Sequence, residues 1–222
     1  MAGQGRLRFL LDTAVSGEWE KWLPTGLFFG VTTNPVLLKA AGVSCTHKAL
    51  RSHAQVAFHC GAEEVQVQSW GRTAEAYIQN GRIIAQYAPN MVVKIPTNEA
   101  GVHAAKVLIK EKIRVTMTAV YTPAQALLAS ALKADYTAPY FGRMNDLGRD
   151  AFAEIVAMQT TVRQLGSATR ILVASLRVAS DVAALAAAGL DTFTFSPKVA
   201  ADFFSDAAAS AAIEVFELAA EG

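Results

Sequence analysis

Short apolar runs rich in β-branched residues alternate with longer stretches of helical spacing along the whole chain. The runs are "RFLLDT", "FGVTTN", "EVQVQS", "MVVKIP", "RVTMTAV", "YTAPYF", "RILVAS" and "TFTFSP". Each has the length and composition of a buried strand. Between them lie "SGEWEKWL", "NPVLLKAAG", "TAEAYIQNGRIIAQYA", "NEAGVHAAKVLIKEK", "TPAQALLASALKA", "GRDAFAEIVAMQTTVRQL" and "ASDVAALAAAGL". Strands alternating with helices predict a parallel sheet. Eight such units in one chain of 222 residues predict an α/β fold, a single (β/α)8 TIM barrel spanning residues 1–222. An open doubly wound sheet is the alternative. It would carry a glycine-rich loop after the first strand, and "DTAVSGEWE" supplies none.

Several runs end in a residue suited to start the next helix: Thr33-Asn34-Pro35, Thr97-Asn98-Glu99 and Thr122-Pro123. After the last strand an alanine-rich tail keeps an apolar stripe at Ile213, Phe216 and Ala220. Residues 205–220 are therefore expected to form an extra C-terminal helix, packed on the barrel or on a neighbouring subunit.

Charge changes this picture little. Lys and Arg number 20 and Asp and Glu 19, in a chain that is 52% hydrophobic. This balance gives no basic footprint for nucleic acid. No run is long enough to span a bilayer, and "MAGQGRLRFLLDT" does not read as a secretory signal. Cys45 and Cys60 flank one helical stretch, whose ends lie roughly 20 Å apart at 1.5 Å rise per residue. A disulfide needs Cα atoms within about 7 Å, so free thiols in a reducing, cytoplasmic setting are expected. His47, His53 and His59 recur every six residues. That step turns roughly 240° on a helix, so they share no face and predict no metal site.

One residue breaks the apolar pattern. Lys94 stands inside "MVVKIP", where an ammonium would lose its hydration. Either its head reaches solvent or its surroundings make it a nucleophilic amine. In a barrel, catalytic groups sit at the C-terminal strand ends. Those ends carry Asp12, Thr32, Asn34, Gln68, Lys94, Thr118, Tyr140, Ser175 and Ser196. One amine, one carboxylate, one phenol and several neutral donors suit Schiff-base chemistry. Lys94 would attack a ketone, Asp12 and Tyr140 would move protons, Gln68 and Thr118 would position water, and Asn34 would hold a substrate hydroxyl. Arg143 in "YFGR" and Ser175 with Arg177 in "SLR" are candidates for a phosphate.

Taken with "GVTTNP", "TAE", "VVKIP", "TAVY", "ADYTAPYFGR" and "AGLDTFTFSP", the chain resembles the transaldolase family over nearly its whole length. Within that family it is similar to the small branch that includes fructose-6-phosphate aldolase. The resemblance implies Lys94 as the Schiff-base lysine, Asp12 in proton transfer, Thr118 at the catalytic water, and Asn34 toward substrate hydroxyls; Thr32, at the end of its strand, is a further candidate for substrate binding. It places Ser175, Arg143 and Arg177 near the sugar's phosphate. Gln68 and Tyr140 match the aldolase-type members, where transaldolases proper carry glutamate and phenylalanine. The implied activity is cleavage or formation of fructose 6-phosphate from dihydroxyacetone and glyceraldehyde 3-phosphate. Transfer of the three-carbon unit between sugar phosphates is the alternative, and a non-catalytic sugar-phosphate-binding barrel a third reading. No cofactor, metal or membrane is implied. A homo-oligomeric ring, pentamer or decamer, is. Val36 after "TNP", the "SPK" motif and the short tail after "FELAAEG" depart from the aldolase pattern, and the last puts ring stacking in doubt.

Overall fold

The computed structural model describes residues 7–221. All strands run parallel: β1 Arg8–Asp12, β2 Phe28–Thr32, β3 Glu64–Gln68, β4 Met91–Pro96, β5 Val115–Val120, β6 Tyr136–Pro139, β7 Arg170–Ile171, β8 Val173–Leu176 and β9 Thr192–Phe195. They pair in the order β7-β6-β5-β4-β3-β2-β1-β9-β8. A bridge from Tyr140 to Ala174 brings the two ends together, so the sheet closes into a barrel. The eight runs therefore become nine segments, because "RILVAS" divides at Leu172. There the chain changes neighbours: β7 pairs with β6 and β8 with β9. Leu172 itself turns into the barrel, packing with Leu10, Val92, Tyr136 and Ala138.

The helices are α1 Ser16–Trp22, α2 Pro35–Ala40, α3 His47–His59, α4 Ala74–Ala85, α5 Glu99–Lys110, α6 Pro123–Leu132, α7 Phe141–Asp146, α8 Ala151–Gln164, α9 Ala179–Ala187, α10 Pro197–Asp202 and α11 Ala207–Glu221. Their starts follow the side-chain chemistry. Asn34 Oδ1 accepts from the Val36 and Leu37 amides at the head of α2. Asn98 Oδ1 accepts from Gly101 N at 2.7 Å. Thr122 and Gln125 form a reciprocal capping box on α6. Ser196 becomes the cap of α10. The histidines of α3 diverge: His47 bonds Tyr87 and Asn80, while His53 bonds the Ala14 carbonyl. Cys45 and Cys60 are both free thiols.

Two cores result. Val65, Val67, Val93, Ile95, Val115 and Met117 face outward and pack with helix residues such as Leu50, Ile84 and Leu108. The inward face is partly polar. Thr116 Oγ1 donates to Gln66, Gln66 donates to the fully buried Glu64, and Tyr136 and Arg114 reach the same carboxylate. β2 and β3 approach so closely that a Cβ on Gly30 would lie 2.1 Å from the Glu64 carbonyl oxygen. Glycine is required there by contact. At the chain's end, α11 buries none of its residues.

Candidate active site

Lys94 lies on β4 with its side chain inside the barrel and only 6% of its surface exposed. The little that remains exposed faces the cavity at the barrel's mouth. Burial holds its pKa below the usual lysine value, and the nearby Asp12 carboxylate only partly opposes that. Nζ donates to the Thr33 carbonyl at 2.9 Å. A neutral amine can make that bond and still present a lone pair.

Asp12, at the end of β1, accepts from Thr32 Oγ1 at 2.6 Å through Oδ1. Thr32 meets Thr194 Oγ1, also at 2.6 Å. Thr32 is fully buried, so it orients the carboxylate and does not line the cavity. Oδ2 of Asp12 makes no hydrogen bond among the described residues and faces the same space as Lys94. Asn34 caps α2 with its oxygen, which leaves its Nδ2 donors for a ligand.

On the other wall, Thr118 Oγ1 and the Tyr140 hydroxyl lie 2.6 Å apart. The Tyr140 ring packs edge-on against Tyr121, with centroids 5.5 Å apart, and the Arg143 guanidinium lies over it at 5.0 Å. Gln68 stands opposite Lys94 in the β3–β4 register, half-buried, and makes no side-chain hydrogen bond among the described residues. Ser175 lies at the mouth with φ +62°, a left-handed conformation uncommon for serine. Arg177 is turned away from the cavity into an ion pair with Asp146.

Of these groups, Asp12, Asn34, Lys94, Tyr140, Arg143, Ser175 and Thr194 line a cavity of about 150 Å³, and Thr118, Gln68 and Arg177 stand outside its lining. A larger cavity, about 890 Å³, opens at the opposite end of the barrel and contains none of them. Convergent polar groups and a lysine of lowered pKa mark the smaller one as the candidate site. Sequence reasoning missed two members. Thr194 was detectable, since period-two spacing in "TFTF" puts it on the inner face with Thr192. The Thr33 carbonyl has no sequence signal, because any residue supplies one. The arrangement can hold a neutral amine, an oriented carboxylate and a hydroxyl pair around one small substrate.

Residues 9–221 match the family model described as transaldolase/fructose-6-phosphate aldolase. The chain belongs to that family. It is therefore an enzyme of the aldolase and transaldolase type, and a Schiff-base lysine is consistent with it. Its relatives include a "Probable transaldolase" of Exiguobacterium sibiricum, 36% identical over 85% of this chain and 86% of the relative. A "Probable transaldolase" of Caulobacter vibrioides is 34% identical over 95% and 94% respectively. Among solved structures, a thiamine phosphate pyrophosphorylase from Pyrococcus furiosus matches with a TM-score of 0.61 at 12% identity, covering 86% of this chain and 85% of that one. That likeness speaks for the barrel alone. Among the described residues no helix is long and apolar enough to cross a membrane.

Proposed function

We propose that the chain is a Schiff-base aldolase that cleaves or forms fructose 6-phosphate from dihydroxyacetone and glyceraldehyde 3-phosphate. The observation that carries this is the buried Lys94 amine, lining the cavity together with the oriented Asp12 carboxylate. The neutral amine attacks the ketone carbon of the sugar. The carbinolamine loses water and leaves an iminium, which is an electron sink. Asp12, directly or through a water, takes the proton from the hydroxyl on the far carbon of the bond to be broken, the carbon that becomes the aldehyde. That carbon–carbon bond breaks, the aldehyde leaves, and an enamine remains on Lys94.

The fate of the enamine separates the two activities. In this reading the hydroxyl pair of Tyr140 and Thr118, 2.6 Å apart, holds a water that protonates the enamine and then hydrolyses the iminium, and Gln68, the register partner of Lys94, helps to position it. Released dihydroxyacetone makes the enzyme an aldolase. Asn34 Nδ2 holds a substrate hydroxyl, and Arg143 with Ser175 holds the phosphate at the mouth. A transaldolase, which passes the enamine to an acceptor aldehyde, is the second reading, favoured by the names of the relatives.

Borohydride added together with fructose 6-phosphate should trap a three-carbon adduct on Lys94, read by mass spectrometry of the peptides. An adduct on another lysine, or full turnover in Lys94→Ala, would overturn the nucleophile assignment. Dihydroxyacetone release without acceptor, measured against transfer to added erythrose 4-phosphate, decides between the readings. Turnover that is sustained only with the acceptor, with no free dihydroxyacetone formed, would establish the transaldolase.

A further inference from the structure

The large cavity lies at the N-terminal end of the barrel, where the strands begin. That face ordinarily serves stability and carries no chemistry. Here it holds a hollow of about 890 Å³, within the range of small-molecule sites. One wall is apolar, with Leu127 and Ala131 of α6 and Leu165 beyond α8. Leu127 and Leu165 stay 43% and 62% exposed. The other wall is cationic, built from Arg8, Arg114, Arg170 and Lys133.

Part of that charge is internally balanced. Arg114 pairs with Glu64 at 2.7 Å and with Asp135 at 2.9 Å, and Arg170 pairs with Asp191 at 3.1 Å. Arg8 donates to the Tyr136 hydroxyl at 2.6 Å and lies over the Phe29 ring. Neither Arg8 nor Lys133 has a carboxylate within ion-pair distance among the described residues. Burial and the neighbouring Arg8 both act to hold Arg170 below its ordinary pKa, as expected of crowded cations. Four cations meet three carboxylates in this wall, and the C-terminal ends of α6 and α8, at about half a charge each, offset the one that remains. The attraction for an anion is therefore local, at Arg8 and Lys133, the two cations with no carboxylate partner among the described residues. Ser130 Oγ, on a residue of the cavity wall, is shut off from water where it stands and has no hydrogen-bond partner among the described residues. One torsion separates its staggered positions, so it can turn to an acceptor in the hollow.

We propose that this cavity is a second binding site, remote from Lys94, for a small organic oxyanion with an apolar body. The guanidinium fork of Arg8 and the Lys133 ammonium hold the oxyanion, Ser130 donates to it, and the body covers Leu127 and Leu165. A carboxylate and a phosphate monoester share this chemistry.

The test titrates benzoate, phenyl phosphate and neutral benzyl alcohol calorimetrically into the full chain in low-salt, phosphate-free buffer. Saturable binding of benzoate or phenyl phosphate is expected, with benzyl alcohol weaker; the tighter anion names the head group. Lys133→Asn tolerates the left-handed backbone at that position and should weaken the anion roughly tenfold. Arg8→Gln should do the same. Arg143→Ala, at the opposite mouth, should leave this binding unchanged. Absence of saturable binding, equal binding of benzyl alcohol, or loss confined to Arg143→Ala would overturn the proposal. So would apolar-face coverage by a second copy, seen as binding that weakens as protein concentration rises. Because Lys133→Asn should keep its full aldol rate without ligand, failure here is distinct from failure of the Lys94 assignment.

Discussion

At the scale of single residues the molecule turns on two side chains. Lys94 is buried where its charge is disfavoured, so it binds its proton less tightly when folded than when unfolded. Between its lowered folded pKa and roughly 10.4 the unfolded chain holds more protons at this site, and stability rises with pH through that window. Lys94→Met removes the titration and fills similar space. Its melting temperature should exceed the parent's near neutrality, and the gap should narrow as pH climbs toward 10; a constant gap would contradict a depressed lysine pKa. The loss of the bond to Thr33 trims the gain but adds no pH dependence. Tyr140 is the second. Tyr140→Phe keeps the ring over which Arg143 lies and removes only the hydroxyl bonded to Thr118. Dihydroxyacetone release should fall by about 10²-fold, the scale of a positioned proton donor. Lys94 should still form its adduct, so the ratio of transfer to release should rise. An unchanged ratio would show that Tyr140 does not set the outcome.

At the scale of elements the site depends on how tightly α7 is pressed against the end of β8. A Cβ on Gly142 would lie 2.4 Å from the Ser175 carbonyl oxygen and 2.9 Å from Arg177 Nε. Ser175 sits in a left-handed conformation at that contact, and Arg177 is held there by Asp146. Gly142→Ala should therefore destabilise the fold by about 1–3 kcal/mol, and it should displace Ser175 and Arg143 together. The measurable sign is a raised KM for phosphorylated substrate, with little change for dihydroxyacetone; equal change for both would place the contact outside phosphate binding. Much of this layer could be read from the chain. Strand runs, caps at Asn34, Asn98 and Thr122, and the placement of Lys94, Asp12 and Tyr140 at one mouth all followed from spacing and strand direction. Other features could not. In "EVQVQ" the alternation marks two faces but not which is inside, and the valines pack outward on helices while Glu64 and Gln66 fill the barrel. The split at Leu172 arises from a change of hydrogen-bonding neighbour, which no local pattern encodes. Thr32 and Arg177 have the right chemistry for substrate, yet tertiary partners occupy them: Asp12 and Thr194 for one, Asp146 for the other.

At the scale of the whole molecule, α11 is the element without a place. Asp206 starts it, its Oδ1 accepting from Ala209 N at 2.8 Å. Yet none of its residues is buried. Ile213, Phe216 and Leu218 are 57%, 68% and 60% exposed, and Phe204, just before the helix, is 64% exposed. A 15-residue helix is marginal in water by itself, and covering each large apolar side chain contributes roughly 1.5–3 kcal/mol. Such a stripe on an outlying helix fits the surface of a second copy, and a head-to-tail contact of that kind closes into a ring when its rotation permits. The expected result is a homo-oligomer by light scattering, with a melting temperature that rises with protein concentration. Replacing Ile213 and Phe216 together by glutamate should lower the mass toward one chain and remove that concentration dependence. The barrel's own core does not include either residue, so circular dichroism of the double variant should keep the parent's signal apart from any lost α11 helicity. If the parent already scatters as a single chain at micromolar concentration, α11 does not join subunits, and its apolar face must be covered by another partner.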